Sequence, residues 1–373
     1  MRRGRPLAKL ALAAVSAGSA LLAAEAGLRL LGYGTARHKA TGCAFDTGRT
    51  RLLDCYPSDP RGYFEVDLRE PATLERYRRL GLKRLERIAS RAPHCVEVRY
   101  NSRGYRGPEP GPPRPGVTRV AVLGDSFTEG QGVREGDAYP AALQALLEAA
   151  QPGRWEVLNC GRRAADLPEL AAEFEKVLTL QPDLVLYAMV PNDPERDAEL
   201  AARRQALDDL IQDRNQMRLA RRHAALGWSD SRLLGFVRDR LETRRITAES
   251  TRFYRDLFGA ANRGGWARTQ ARIRAMDRAM RQRGGRFLLV SWPLLVGLEG
   301  RYPFEAAWAE LARFCAAAGI LRHDLLPALR GRPDASLWVH EVDRHPNERA
   351  HRLAAESLAA ALAAGGVRSA SAR

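Results

Sequence analysis

Val120–Ala121–Val122–Leu123–Gly124–Asp125–Ser126–Phe127–Thr128–Glu129–Gly130 is a short apolar, β-branched run that breaks into a Gly–Asp–Ser turn. The run reads as a strand buried on both faces, and the turn as the passage into a helix. Similar units follow along the chain. Trp155–Asn159, ending in Cys160–Gly161, reads as a second strand, and the apolar run Leu184–Val190 as a third. Arg286–Trp292 gives a fourth, and a short piece near Ile320–Leu321 a fifth. Between them the apolar spacing turns helical. Asp137 is placed to cap a helix to about Ala150, with Tyr139, Leu143, Leu146 and Leu147 facing inward. Leu167–Leu180 stops at Gln181–Pro182–Asp183; a helix bearing Trp266, Ile273, Met276 and Met280 ends at Gly284–Gly285; Phe304–Ala318 is the next. This alternation predicts an α/β fold with a parallel sheet covered by helices on both faces. Ligands in such sheets bind outside the carboxyl ends of the strands, which is where Ser126 falls.

Two more polar clusters stand at element ends. Asn192 follows the third strand in Val190–Pro191–Asn192–Asp193. Val342–Asp343–Arg344–His345–Pro346–Asn347 precedes a helix bearing Leu353, Leu358 and Leu362. Pro346 suits the first turn of that helix, which leaves His345 on the loop before it. A carboxylate near a loop histidine holds the imidazole in one tautomer, so that its other nitrogen can take a serine proton. Taken singly, each residue reads equally well as a cap or a surface group. Together they form a nucleophile, a base, an orienting acid and an amide.

The remainder of the chain surrounds this core. Arg2, Arg3, Arg5 and Lys9 precede the uncharged Leu10–Ala24, the pattern of a signal peptide or an uncleaved signal anchor over 1–34. Either form sends the rest of the chain across the membrane, with the positive charges left inside. Residues 35–116 read as an N-terminal extension, with Leu74, Tyr77, Leu85 and Ile88 at helical spacing and Val96, Val98 and Tyr100 alternating as in a strand. It closes in a Pro-rich connector, Pro108–Gly116. Arg103 and Arg106, just before that connector, approach an anionic or sugar substrate or pair with surface carboxylates. An oxidising compartment allows one disulfide among Cys43, Cys55 and Cys95, and Cys55–Cys95 is the first choice. Residues 194–265 form a helical insert in the core domain of 117–365, with Gln205–Arg222 and Arg232–Thr243 as candidate helices. The insert reads either as a lid over Ser126 or as a surface hairpin, with Trp228, Phe236, Phe253 and Tyr254 as its contacts to the core. Residues 366–373 read as a disordered tail. The formal charge is +16, but the arginines behind it are scattered and form no nucleic-acid motif, so no nucleic-acid partner is expected. No Cys/His spacing matches a zinc site, and neither a metal nor an organic cofactor is expected.

The same residues carry a family resemblance. Gly124–Asp125–Ser126–Phe127–Thr128 resembles the first block of the SGNH, or GDSL-like, hydrolases, and Asn159–Cys160–Gly161 the start of the second. Val190–Pro191–Asn192–Asp193 is similar to the third block and Asp343–Arg344–His345–Pro346–Asn347 to the last. The resemblance runs from about Val117 to Leu362. It implies a three-layer α/β/α sandwich with a parallel, flavodoxin-like sheet. It also implies a serine esterase, with Ser126 as nucleophile, His345 as base and Asp343 as acid, and with Ser126, Ala164 and Asn192 forming the oxyanion hole. The family's usual acid position, three residues before the histidine, is held here by Val342. Its second-block glycine is matched by Ala164, and its third-block glycine is replaced by Val190. Asn101–Gly107 and the exported start look like a bacterial envelope branch, acting on an O-acyl or O-acetyl ester of a carbohydrate or lipid. The protein would then be anchored in the inner membrane facing the periplasm, or periplasmic or secreted after cleavage. An O-acyltransferase acting on an envelope polysaccharide and a catalytically weak binding protein are the other readings.

Overall fold

Strand β5 (Thr118–Gly124) lies second from the edge of a five-stranded sheet in the order β6-β5-β7-β8-β9, with every pairing parallel. The other strands of the sheet are β6 (Trp155–Gly161), β7 (Leu184–Met189), β8 (Arg286–Ser291) and β9 (Leu321–Asp324). Every residue of β7 is buried, as its unbroken apolar run requires. The computed structural model describes residues 4–33, 41–209 and 231–366. Counted within the core alone, the order is the flavodoxin-like one, with β5 at the switch point. From β5 the chain steps to one side, to β6, and then back across to β7. Right-handed crossovers therefore put α5 (Tyr139–Ala150) and α6 (Leu167–Leu178) on opposite faces. Helix α12 (Glu348–Ala361) packs against α5, and α9 (Arg263–Gln282) against α6. Helix α10 (Glu305–Ala318) leads into β9.

Three local expectations are corrected. Asp137 does not cap α5, whose N-cap is Ala138; the carboxylate instead accepts the Tyr63 hydroxyl at 2.6 Å. His345 is not on a loop but on β11 (Asp343–Pro346), which pairs with β10 (Trp338–His340) in an antiparallel hairpin. Pro346 ends that strand, and the N-cap of α12 is Asn347, whose side chain accepts the Ala350 amide.

The extension before the core forms a second, antiparallel sheet in the order β1-β2-β4-β3, from β1 (Gly42–Phe45), β2 (Arg51–Tyr56), β3 (Val66–Asp67) and β4 (His94–Arg99). Its helical stretch is two pieces, α2 (Pro71–Arg79) and α3 (Leu85–Ala89). The break falls at Gly81, with φ +71°, a conformation few other residues take without strain. Cys55 and Cys95 face each other across β2 and β4 and form the disulfide expected first; Cys43 is exposed, and Cys160 and Cys315 are buried thiols.

Two compact units divide the chain. The described parts of 39–200 and 254–373 form one, so the N-terminal sheet and the hydrolase-like core belong together. The other joins α1 (Gly4–Leu30) to the described part of 201–253. In it, α1 continues past Glu25, and Lys9–Leu30 is long and apolar enough to cross a membrane, with a mean hydropathy of 1.5. Glu25 does not end the helix, and Arg29, one turn on, pairs with it at 2.7 Å.

The insert begins with helix α7, described over 198–209. Most of the expected helix Gln205–Arg222, and Trp228, lie outside the described residues. Helix α8 spans Arg232–Asp256, thirteen residues beyond the expected Thr243. Phe236 meets the ring of Tyr33, just past α1, at 5.2 Å rather than the core. Tyr254 does meet the core, at Phe304.

Candidate active site

The turn after β5 is tight enough to exclude a side chain. A Cβ on Gly124 would lie 2.2 Å from Thr128 Oγ1 and 3.0 Å from the Ala188 carbonyl. Asp125 accepts the Phe127 amide at 2.9 Å and so starts the short helix α4 (Ser126–Glu129) on Ser126. Ser126 keeps 8% of its surface accessible, and its Oγ lies 2.8 Å from His345 Nε2. On the other side of the ring, Nδ1 lies 2.5 Å from Asp343 Oδ1, which also accepts the His345 amide at 3.1 Å. An ionised carboxylate only accepts, so Nδ1 carries the hydrogen and Nε2 is left to accept from the serine.

Electrostatics agree with that assignment. Burial pushes the Asp343 carboxyl up, but the hydrogen bond and charge of His345 and the Tyr56 hydroxyl outweigh it and hold it at about 2. Burial pushes His345 down, and Asp343 more than reverses this, so the imidazole sits above its ordinary value. Burial raises the carboxyl of Asp125 beside the serine. Asp193 is raised by burial and then by the charge of Asp125.

Ala164 and Asn192 lie on the loops that follow β6 and β7, the two neighbours of β5. Gly124 pairs with Gly161 on β6 and with Ala188 on β7, so the loops after those strands leave the sheet on either side of Ser126. Ala164 lies on the first loop with φ +60°, a left-handed conformation that costs a non-glycine residue roughly 1 kcal/mol. Asn192 lies on the second. That turn is fixed by Asp193, whose carboxylate accepts the Tyr187 hydroxyl at 2.8 Å and the Val190 amide at 3.2 Å. Among the described residues, no hydrogen bond joins the Asn192 carboxamide or the Ala164 amide to Ser126.

The N-terminal sheet supplies groups that the sequence reading missed. The buried Tyr56 hydroxyl donates to Asp343 Oδ2 at 2.9 Å, and Gln131 Nε2 to the same oxygen at 3.3 Å. Two residues earlier on the same face of β2, Asp54 accepts both terminal nitrogens of Arg163, at 2.6 and 2.9 Å. Arg163 also binds Glu129 Oε2 at 2.6 Å, and Tyr100 donates to the other oxygen of Glu129. The guanidinium thus bridges the N-terminal sheet, the end of α4 and the residue before Ala164. Asp54 in Leu52–Leu53–Asp54–Cys55–Tyr56 was the available signal: an acid within an apolar strand needs a partner. Arg106 takes neither role foreseen for it. Buried, it donates to the carbonyls of Glu129, Gly130 and Val133 and holds the loop after α4. Arg103 is exposed. Among the described residues, no group of three His, Cys, Asp or Glu side chains is placed to hold a metal ion.

With the fold and this geometry in hand, residues 122–353 match the GDSL-like Lipase/Acylhydrolase family, and the chain belongs to that family. It is a serine hydrolase of the GDSL type, acting on ester bonds. Among curated proteins, no relative matches it. Solved structures similar to it include LAE5, an α/β hydrolase enzyme from the metagenome of Lake Arreo, at 16% identity over 68% of this chain and 97% of that one, with a TM-score of 0.40. Axe2, an acetylxylan esterase from Geobacillus stearothermophilus, is similar at 16% identity over 69% of this chain and 97% of its own, with a TM-score of 0.39.

Proposed function

We propose that the chain is an exported esterase of the cell envelope that removes an O-acyl or O-acetyl group from a carbohydrate or lipid through an acyl-enzyme. The observation that carries this reading is the relay from Ser126 Oγ to His345 at 2.8 Å and from His345 to Asp343 at 2.5 Å. As Ser126 Oγ attacks the ester carbonyl, its proton passes to His345 Nε2, and Asp343 balances the imidazolium that forms. The Ser126 and Ala164 amides and the Asn192 carboxamide receive the oxyanion. His345 returns the proton to the departing alcohol, leaving the acyl group on Ser126. Water, deprotonated by the same nitrogen, then releases the acid and restores the serine. None of these steps draws on a metal or organic cofactor. Helix α1 would hold the enzyme at the membrane, with the catalytic unit on the side away from the basic N-terminus.

A fluorophosphonate probe tests the nucleophile: it should label the wild-type chain and fail on Ser126→Ala. Free acid should be released from a panel of p-nitrophenyl acyl esters and from acetylated glycans. A wild-type chain that stays unlabelled overturns the reading. Transfer of the acyl group to an added glycan, in place of acid release, reassigns the enzyme as an acyltransferase.

A further inference from the structure

We infer that the first half of α8 lies on the bilayer surface, in contact with anionic lipid headgroups, beside the point where α1 leaves the membrane. This rests on the proposal that α1 is an uncleaved anchor. The argument starts at Glu25. An ionised carboxylate is costly within hydrocarbon, so a charge near the end of an apolar span marks the level of the interface. The Glu25 carboxylate accepts the backbone amides of Arg232 and Leu233, each at 2.8 Å, and the Ser231 hydroxyl at 3.0 Å. The two amides are free donors of the first turn of α8, whose partial positive charge suits the anion. The start of α8 is thereby fixed at the level of Glu25.

A second tie fixes which side of α8 faces α1. Tyr33 meets Phe236 ring to ring at 5.2 Å and donates to Asp239 at 3.1 Å, one turn further along α8. Away from these contacts stand Leu234, Val237 and Leu241, spaced three and four residues apart and 72, 46 and 59% exposed. Leu30 and Leu31, at the end of α1, are more exposed still. Exposed arginines border the stripe at Arg238, Arg244 and Arg245. An apolar stripe edged by arginine, on a helix held at the interface, is the pattern of a segment lying in the headgroup layer. The arginine stems lie along the apolar surface while their heads reach lipid phosphate.

The test uses the full-length chain with Cys43→Ser, which removes the exposed thiol. An environment-sensitive nitrobenzoxadiazole label is placed at Leu241→Cys or, across the helix, at Thr247→Cys. The protein is reconstituted in phosphatidylcholine vesicles with and without phosphatidylglycerol, with nitroxide-bearing lipids as quenchers. Emission from position 241 should be blue-shifted and quenched at least threefold more than that from 247, and phosphatidylglycerol should strengthen the difference. Leu234→Cys should repeat the result if Leu241→Cys folds poorly. Equal, water-like emission from both positions overturns the inference while leaving the anchor and the esterase standing. A blue shift that lipid does not quench and that grows with protein density also overturns it, and assigns the stripe to a second copy of the chain. Intact mass read on the same sample separates the premise: a chain cut after α1 sinks the anchor and this inference together, with labelling of Ser126 untouched.

Discussion

A serine hydroxyl does not ionise near neutral pH, so what Ser126 can do depends on how strongly its partner takes the proton. His345 is held above its ordinary value by Asp343. As the proposed base it works only when neutral, so kcat/KM should fall as pH drops through a point above about 6.5, the ordinary imidazole value. A pH profile whose acid limb lies below that point would contradict the assignment. Tyr56→Phe probes Asp343 as the proposed orienting acid. The ring keeps its stacking on Phe64, 4.7 Å away, while Asp343 loses the donor at 2.9 Å. A hydrogen bond to a charged group contributes about 1.5 kcal/mol at the low end, so kcat should fall about tenfold with KM unchanged. The less shielded carboxylate should also move the acid limb to higher pH; a purely structural tyrosine would leave the profile where it was. If Asn192 is the proposed oxyanion donor, Asn192→Ala should lower kcat roughly 10²–10³-fold in p-nitrophenyl ester assays without loss of fluorophosphonate labelling stoichiometry.

At the scale of elements, the same logic explains what the sequence revealed. β5, β7 and β8 were legible because burial on both faces leaves an unbroken apolar run, and Ser126 and Asn192 were legible because they follow such runs directly. The hairpin carrying His345 was not: Asp343–Arg344–His345 has no apolar alternation, since its side chains serve the site rather than a core. Of the N-terminal sheet only β4 was, through the alternation of Val96 and Val98; β2 was not, because its Asp54 and Tyr56 are matched by Arg163 and Asp343, more than a hundred residues away. Long-range polar partners leave no local period to read. Ala164 was legible only by resemblance, and its φ of +60° shows what the position demands of the backbone. The closeness of β6 and α4 was equally hidden. A Cβ on Gly161 would lie 2.2 Å from the Glu129 amide nitrogen, which is backbone and cannot step aside. Gly161→Ala should therefore push α4 and Ser126 off the sheet, at a cost of about 1–3 kcal/mol in urea unfolding. The rate of fluorophosphonate labelling should fall with it. Unchanged labelling would mean that α4 has more room than its backbone distances allow.

At the scale of the molecule, the N-terminal sheet is part of the catalytic unit rather than an appendage to it. One face of β2 packs Leu53 and Cys55 into that sheet's own core. The opposite face carries Asp54 to Arg163 and Tyr56 to Asp343. Arg163, half-buried, bridges the enclosed carboxylates of Asp54 and Glu129, and removing it would leave their buried charge uncompensated. The sheet and the core should therefore unfold together. None of the six tryptophans lies in the N-terminal sheet, and Trp155, Trp266, Trp292, Trp308 and Trp338 lie in the core, so with Trp228 replaced by Phe the fluorescence reports the core. The Cys55–Cys95 disulfide, by contrast, lies wholly within the sheet and closes a loop across 40 residues of chain. Replacing both cysteines by serine should cost about 2–4 kcal/mol, chiefly by freeing the unfolded chain. If the two parts are coupled through β2, that loss should lower the urea midpoint of tryptophan fluorescence, and fluorophosphonate labelling should disappear over the same transition. A midpoint that stays at the wild-type value, with only far-ultraviolet dichroism showing an earlier step, would mean that the sheet melts alone and that Asp54 and Tyr56 contribute nothing to holding the core.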